Sequence, residues 1–354
     1  MTGDGAPDDV RLSVVVVTYN SAGAVRRCLP ALASQLGPRD ELIVVDNASR
    51  DETVEAVAIA APKAHVLRSV ANLGFSGGCN AGAAAAHGDL LVLLNPDALP
   101  APGFAEAIRR PWLERRGWAA WMGLVTMEGG QRINTSGGVV HFTGIAWSGD
   151  AGRPVAEAPP GPVDVPFVSG ACLAIPLETW RRHEGFAPGF FMYCEDVELS
   201  LRLRLEGGTL GLEPGARVDH DYAFVKGAAK WRLLERNRWA TLVRTYPAPL
   251  LALLAPALAL CELALLPIAA AGGWLPSKLA AIADTLRAVG RLRAERAAVQ
   301  AGRRIGALEF ARLLTPDLAS VHLGPIGRLR PLRWAMRAYW QATLALLRSL
   351  ERRP

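Results

Sequence analysis

Residues 12–17, Leu-Ser-Val-Val-Val-Val, run directly into Thr18-Tyr19-Asn20, and this stretch decides the fold. An unbroken apolar, β-branched run marks a strand buried on both faces. The signal repeats outward at 42–45 (Leu-Ile-Val-Val) and 90–94 (Leu-Leu-Val-Leu-Leu), with a shorter strand at 65–69. Helices fit the intervals at 24–36, 52–60 and, rich in small residues, 78–87. Strand and helix alternating in this way predict an α/β domain with a doubly wound, mostly parallel sheet. Such sheets bind ligands beyond the carboxyl ends of their strands. Here those ends read Thr18-Tyr19-Asn20, Asp46-Asn47 and Asn95-Pro96-Asp97.

Farther along, 118–175 is richer in Gly and Pro, with short strands expected at 121–126, 138–142 and 171–175. Helices fit 177–183, 195–206 and 228–245. Ala248–Ala271 is apolar apart from Glu262, and Pro256 and Pro267 inside it predict a broken or re-entrant pair of short helices. An arginine-rich helix is expected at 277–304, a Gly/Pro-broken stretch at 315–331 and a last helix at 332–350. The expected organisation is a domain at 10–246, an apolar segment at 247–275 and a basic helical region at 276–354.

With 354 residues, 51% of them hydrophobic, the chain can bury a sizeable core, which excludes wholesale disorder. Its five cysteines (Cys28, Cys79, Cys172, Cys194, Cys261) are odd in number and widely spaced, as reduced thiols would be. No charged-then-apolar leader opens the sequence, so no secretory signal is expected. Charge is uneven: residues 278–354 hold 15 Lys+Arg against 5 Asp+Glu, a net of +10, leaving −4 for residues 1–277. A basic tail suits an anionic membrane surface or plain solvation; no nucleic-acid motif accompanies it, and no nucleic-acid partner is expected.

The first strand-to-helix turn lacks G-x-G-x-x-G, which disfavours a dinucleotide. Asp46 and Asn47 suit hydrogen bonds to a base or ribose, although Asn47 also fits a helix cap. Asp97 closes an apolar strand and is placed to ligate a hard divalent cation on a diphosphate, with helix capping as the bland alternative. Glu195-Asp196 opens an amphipathic helix behind the aromatic loop 185–194, where a partly dry carboxylate can serve as a base; complementing the helix dipole is the simpler reading.

Six pieces in order carry a resemblance: Val15-Val16-Val17-Thr18-Tyr19-Asn20-Ser21, Val44-Val45-Asp46-Asn47-Ala48-Ser49, the 72–82 run from Asn72 through Asn80 to Gly82, Leu93-Leu94-Asn95-Pro96-Asp97, Ser169-Gly170-Ala171-Cys172 and the 195–202 run. Over about 230 residues the chain resembles the inverting, GT-A fold (Rossmann-like) family 2 glycosyltransferases, in particular their bacterial rhamnosyltransferase-like branch. The resemblance implies that Thr18, Tyr19, Asn20, Asp46 and Asn47 contact the nucleotide. Asn72 and Asn80 would lie on a loop near the donor. Asn95-Pro96-Asp97 would replace a D-x-D motif, leaving Asp97 to hold Mn or Mg beside His220, with Asn95 a substrate contact. Asp196 would be the general base, with Glu195 beside it. Glu235-Arg236-Asn237-Arg238-Trp239 is similar to a Q-x-x-R-W signature, which makes Arg238 a substrate contact, although Glu stands in the Gln position.

The implied donor is a nucleotide-diphosphate sugar and the implied acceptor a glycan or lipid-linked hydroxyl, in polysaccharide or cell-wall synthesis. A cytosolic donor and the Arg-rich tail oppose a single crossing by 248–271 under the positive-inside rule. Monotopic attachment at the cytoplasmic face of the plasma membrane is therefore expected, against internal packing or a homo-oligomer interface. Competing readings are an inactive membrane scaffold of the same fold and a sugar-1-phosphate nucleotidyltransferase, which would need a basic Gly-rich loop after the first strand.

Overall fold

The computed structural model describes residues 10–220, 227–318 and 329–352. Strand and helix alternate from the start: β1 (Leu12–Thr18), α1 (Ala22–Ala33), β2 (Glu41–Asp46), α2 (Thr53–Ala60), β3 (His65–Arg68), α3 (Gly74–Ala84) and β4 (Leu90–Leu94). Next come β5 (Leu99–Pro100), α4 (Phe104–Leu113), β6 (Trp118–Met127), β7 (Arg132–Thr135), β8 (Gly138–Val140) and β9 (Ala146–Ser148). The series continues with β10 (Val163–Asp164), β11 (Cys172–Pro176), α5 (Leu177–Arg182), α6 (Glu195–Leu205) and β12 (Thr209–Asp219). Six helices then follow: α7 (Gly227–Thr245), α8 (Ala248–Ala271), α9 (Leu275–Arg287), α10 (Val289–Ala301), α11 (Ala307–Ala311) and α12 (Arg330–Glu351).

The main sheet runs β10-β12-β6-β11-β4-β1-β2-β3. β1 lies parallel between β2 and β4, and β2 is parallel to β3. The Val and Leu runs of β1 and β4 are buried along their whole length, as their composition requires. Burying each such side chain contributes roughly 1.5–3 kcal/mol. β11 breaks the parallel pattern, running antiparallel to both β4 and β6, while β12 is parallel to β6. The start of β11 therefore shares an edge with the carboxyl ends of β4, β6 and β12. This is the α/β GT-A arrangement, with a helical C-terminal region.

α3 begins at Gly74, four residues before the expected start, because the Asn72 side chain accepts the Gly74 N–H at 2.8 Å. Gly78 and Gly82, one turn apart, let α3 sit directly on β1: a Cβ at Gly78 would lie 3.0 Å from Val17 Cγ2, and one at Gly82 3.1 Å from Val15 Cγ2.

The described residues fall into two compact units, the first drawn from Met1–Gly137, Gly149–Asp196 and Thr209–Tyr222, the second from Gly138–Ser148, Val197–Gly208 and Ala223–Pro354. The expected domain at 10–246 thus spans the described part of the first unit and pieces of the second. Strand 138–142, expected among the mixed strands, instead forms the small β8–β9 hairpin of the second unit. Buried ion pairs bind α6 to α7 there. Glu198, fully buried, meets Arg202 Nη2 at 2.9 Å and Arg244 Nε at 2.9 Å, and Arg244 also pairs with Glu295 of α10.

Two C-terminal expectations need correction. α8 is one continuous helix, not a broken pair. Pro249 lies in its first turn, where the missing N–H costs nothing. Pro256 and Pro267 each remove a helical bond, but Leu250, Leu254 and Leu258 are buried and α8 packs against α9, α11 and α12. Tertiary packing outweighs the lost bonds. The expected helix at 277–304 is two, meeting at Ala288 just before Gly290. The short α11 follows, and most of the stretch at 315–331 lies outside the described residues.

Candidate active site

At the carboxyl edge of the sheet, Thr18 and Asp46 stand in register on β1 and β2. Asp46 is 3% exposed; its Oδ2 accepts the Ser49 N–H at 3.2 Å and its Oδ1 lies 3.5 Å from the Thr18 hydroxyl. Among the described residues no cation pairs with it. Asn20, in the left-handed region at φ 49, accepts the Arg50 N–H at 2.8 Å and donates its own N–H to Ser49 at 2.9 Å. Asn20 thus ties the turns after β1 and β2 together. The Tyr19 ring beside it is 47% exposed. An open aromatic face next to a recessed carboxylate suits a base and a ribose hydroxyl.

Asn47 and Asn80 hold the walls. Asn47 Nδ2 donates to the Gly74 carbonyl at 2.8 Å, and its Oδ1 accepts from Leu73. Asn80 grips the backbone of Phe186 at both ends, at 2.9 and 3.0 Å. Asn72 is exposed and forms the turn into α3. Both ends of the Asn47 and Asn80 amides are committed to backbone, so these residues shape the loop where direct donor contacts were expected.

Two strands along the sheet, roughly 10 Å from β2 at the usual strand spacing, Asp97 Oδ1 lies 3.0 Å from His220 Nε2. The imidazole is 5% exposed and the carboxylate 44%, so the carboxylate fronts solvent with the ring behind it. His220 is held by its backbone, its N–H donating to the Thr126 carbonyl at 2.8 Å and its carbonyl accepting from Asn134 at 2.9 Å. The Asn95 amide reaches the same ring nitrogen at 3.5 Å. Asp219 is turned away, accepting from Thr126 and Gly130. A carboxylate oxygen and an imidazole nitrogen at this separation fit a Mn or Mg ion. Among the described residues no third His, Cys, Asp or Glu joins them. A cation here would need phosphate oxygens and water to complete its shell.

The segment before β11 connects this pair to Asp196. Asn95 N–H donates to the Ala171 carbonyl at 3.1 Å, and Gly170 N–H donates to Asp196 Oδ2 at 3.0 Å. Phe75 packs beside Gly170, and Phe186 meets Phe75 at a tilt and Trp180 edge-on, giving one apolar wall. The backbone leading into α6 is strained: Phe191, Tyr193 and Cys194 all have positive φ, at 63, 72 and 64°. Each such residue costs of order 1–3 kcal/mol and persists only where its surroundings impose it. Gly74 imposes part of it. At φ 72° it brings α3 so close to this loop that a Cβ would collide with the Phe191 carbonyl, which accepts the Ser76 N–H at 3.1 Å.

The dry carboxylate is Glu195, not Asp196. Glu195 is 5% exposed, and its Oε2 has no hydrogen-bond partner. Burial, then the neighbouring Asp196 charge, pushes its carboxyl well above the ordinary range. Glu195 is thereby held protonated, while half-buried Asp196 faces the Gly170 N–H.

Arg238 does not join the edge. It lies in the second unit, 3% exposed, paired with Glu235 at 2.9 Å and with Glu262, and donating to the Thr143 carbonyl at 3.0 Å. Lys278 closes the cluster on Glu235 and, at 2.6 Å, on Glu262. Every edge of the guanidinium is engaged inside the protein, which corrects its expected role as a substrate contact. The sequence reading assigned no role to the Gly170 N–H, although Ser169-Gly170-Ala171-Cys172 was a visible piece. Asn134, in an irregular hairpin, gave no signal.

Comparison with known proteins agrees with this geometry. Residues 13–128 match the family described as Glycosyl transferase family 2. The N-acetylglucosaminyl-diphospho-decaprenol L-rhamnosyltransferase of Mycobacterium tuberculosis is 27% identical over 239 residues, covering 61% of this chain and 78% of that one. The rhamnosyltransferase WbbL of Escherichia coli is 32% identical over 80 residues, 21% of this chain and 30% of that one. A mannosyltransferase from Pyrobaculum calidifontis, solved with GDP-Man and Mn2+, aligns with a TM-score of 0.47 at 22% identity, covering 99% and 91% of the two chains.

Proposed function

We propose that this chain, a family 2 glycosyltransferase, moves a hexosyl or deoxyhexosyl group from a nucleotide-diphosphate sugar to a hydroxyl of a lipid-linked or glycan acceptor, with inversion. The Asp97–His220 pair, joined through Asn95 to the same Gly170–Ala171 backbone that meets Asp196, carries the reading. The similarity to an L-rhamnosyltransferase named for a lipid-diphosphate acceptor supports a deoxyhexosyl donor and a lipid-linked acceptor, in cell-surface glycan synthesis.

Tyr19, Thr18 and Asp46 bind and orient the base and ribose. Asp97 and His220 would hold a divalent cation, which would supply neutralisation of the charge developing on the diphosphate. Asp196 takes the proton of the acceptor hydroxyl. That oxygen forms its bond to the anomeric carbon from the face opposite the diphosphate, and the carbon–oxygen bond to the nucleotide diphosphate breaks with its electron pair. One base and one displacement invert the centre. Glu195, protonated, contributes no second base, and the Gly74–Phe191 contact fixes where Asp196 begins its helix.

α8 and the basic tail support attachment at the cytoplasmic face of a membrane. Leu260 and Leu263 of α8 are 67% and 64% exposed, while Glu262 turns inward to Lys278 and Arg238. One face of α8 is thus apolar and open while the other is packed, as in a helix lying in an interface.

The test is Asp196→Asn, which keeps size and polarity but removes the base. Donor affinity and melting temperature should hold while kcat falls by about a hundredfold or more. Unchanged transfer places the base elsewhere. A wild type inert to every donor returns the inactive-scaffold reading.

A further inference from the structure

The C-terminal helices of the second unit carry a feature that glycosyl transfer does not use. A cavity of about 380 Å³ opens where α8 begins, lined by Ala248 and Pro249 and by Arg293, Arg296, Gln300 and Arg303 from α10 and the turn after it. The spacing of Arg293, Arg296 and Gln300 puts them on one face of α10. Two of these side chains are fixed by the end of α7. Arg296 donates to the carbonyls of Val243 and Tyr246 at 2.5 and 2.7 Å, and Gln300 to those of Arg244 and Thr245 at 3.1 and 3.0 Å. Neutral carbonyls and the negative end of the α7 dipole offset only part of the Arg296 charge. Arg293 and Arg303 are exposed and have no ion pair among the described residues, unlike Arg291 on the same helix, which pairs with Glu295.

Three guanidiniums around one opening, with no carboxylate lining it, are self-repulsive. Burial, then the charge of Arg303, lowers the Arg296 guanidinium from its ordinary value. An anion in the opening relieves that repulsion. Guanidinium forks match phosphate oxygens in pairs, and the positive end of the α8 dipole adds to the attraction. The volume lies in the range of small-molecule sites.

We infer that the Arg293–Arg296–Arg303 opening at the start of α8 is a binding site for a phosphate or diphosphate group. α8 leaves this opening with its apolar face exposed, so a lipid bearing that phosphate would meet guanidiniums at one end and Leu260 and Leu263 farther along. A soluble phosphate ester would use the guanidiniums alone. The site stands independently of the transfer chemistry at the sheet edge.

The test uses the full chain and two probes: flotation with phosphatidylcholine vesicles containing none or about one-fifth phosphatidylglycerol, and thermal shift with inorganic pyrophosphate. Arg293→Gln/Arg303→Gln removes the two unpaired charges and leaves Arg296 holding its carbonyls, so the melting temperature without ligand should equal or exceed that of wild type. Arg330→Gln/Arg348→Gln on α12 removes equal, exposed charge as the control. The pocket pair should weaken binding of at least one probe by about tenfold or more, and the control pair by less than about threefold. Loss confined to the anionic vesicles identifies a lipid headgroup, and loss confined to pyrophosphate a soluble phosphate. Binding of both probes unchanged in the pocket pair, or weakened equally by the control pair, overturns the site.

Discussion

Asp97 and Glu198 are both carboxylates beside a basic side chain, yet the protein treats them in opposite ways. Glu198, in the second unit, is fully buried between Arg202 and Arg244. Burial pushes its carboxyl up, but the charges and hydrogen bonds of the two arginines bring it below its ordinary value. Asp97, in the first unit, is 44% exposed and has the His220 imidazole behind it. The pattern extends to their neighbours: Glu235, Glu262 and Glu295 all bind Arg or Lys, whereas Asp46 and Asp196 are met by backbone N–H groups. Acids closed off by guanidinium hold helices together. Acids at the sheet edge, met by backbone N–H groups or an imidazole, are placed where a cation or a proton can reach them.

This contrast can be broken from the structural side. Glu198→Gln leaves two buried guanidiniums facing a neutral amide. The loss should be about 3–5 kcal/mol in unfolding free energy, read by denaturant titration. A loss under about 1 kcal/mol, the size of an exposed pair, would mean that Glu198 is not the fixed centre its burial implies.

A smaller effect sharpens the division between Glu195 and Asp196. Because the folded state raises the Glu195 pKa, it keeps a proton that the unfolded chain has released. Stability from this group is fully present below the ordinary Glu pKa and declines as pH rises toward the folded value. Glu195→Gln cannot ionise, so its melting temperature should gain on wild type between pH 5 and pH 8 by about 2 °C or more. A difference that stays constant with pH would show that Glu195 is ionised in the fold.

The α/β half was legible because its signals are local. A Val run buried on both faces means a central parallel strand wherever it occurs, and the residues ending β1, β2 and β4 fell on the expected edge. Long-range partners were not legible. Nothing in the periodicity of 171–175 distinguishes an antiparallel strand from a parallel one, and Pro256 and Pro267 read as breaks until α9, α11 and α12 are seen against α8. Asn47 and Asn80 have the composition of ligand contacts, but their amides are taken by Gly74 and Phe186, the latter 106 residues away in sequence. Arg238 misled for the same reason: its partner Glu262, and the Lys278 that shares its carboxylates, lie on other helices. Of Glu195 and Asp196, adjacent in sequence, only burial shows which one stays protonated.

The central claim is that Asp46, Asp97 and Asp196, at the sheet edge of the first unit, form a cation-assisted nucleotide-sugar site. Thermal shift of the purified full chain against a panel of nucleotide-diphosphate sugars, with and without Mn2+, tests it most directly. One donor should raise the melting temperature of wild type in Mn2+, and Asp97→Asn should lose the metal-dependent part of that rise while folding normally. An equal rise in excess EDTA, or an undiminished one in Asp97→Asn, would contradict the account.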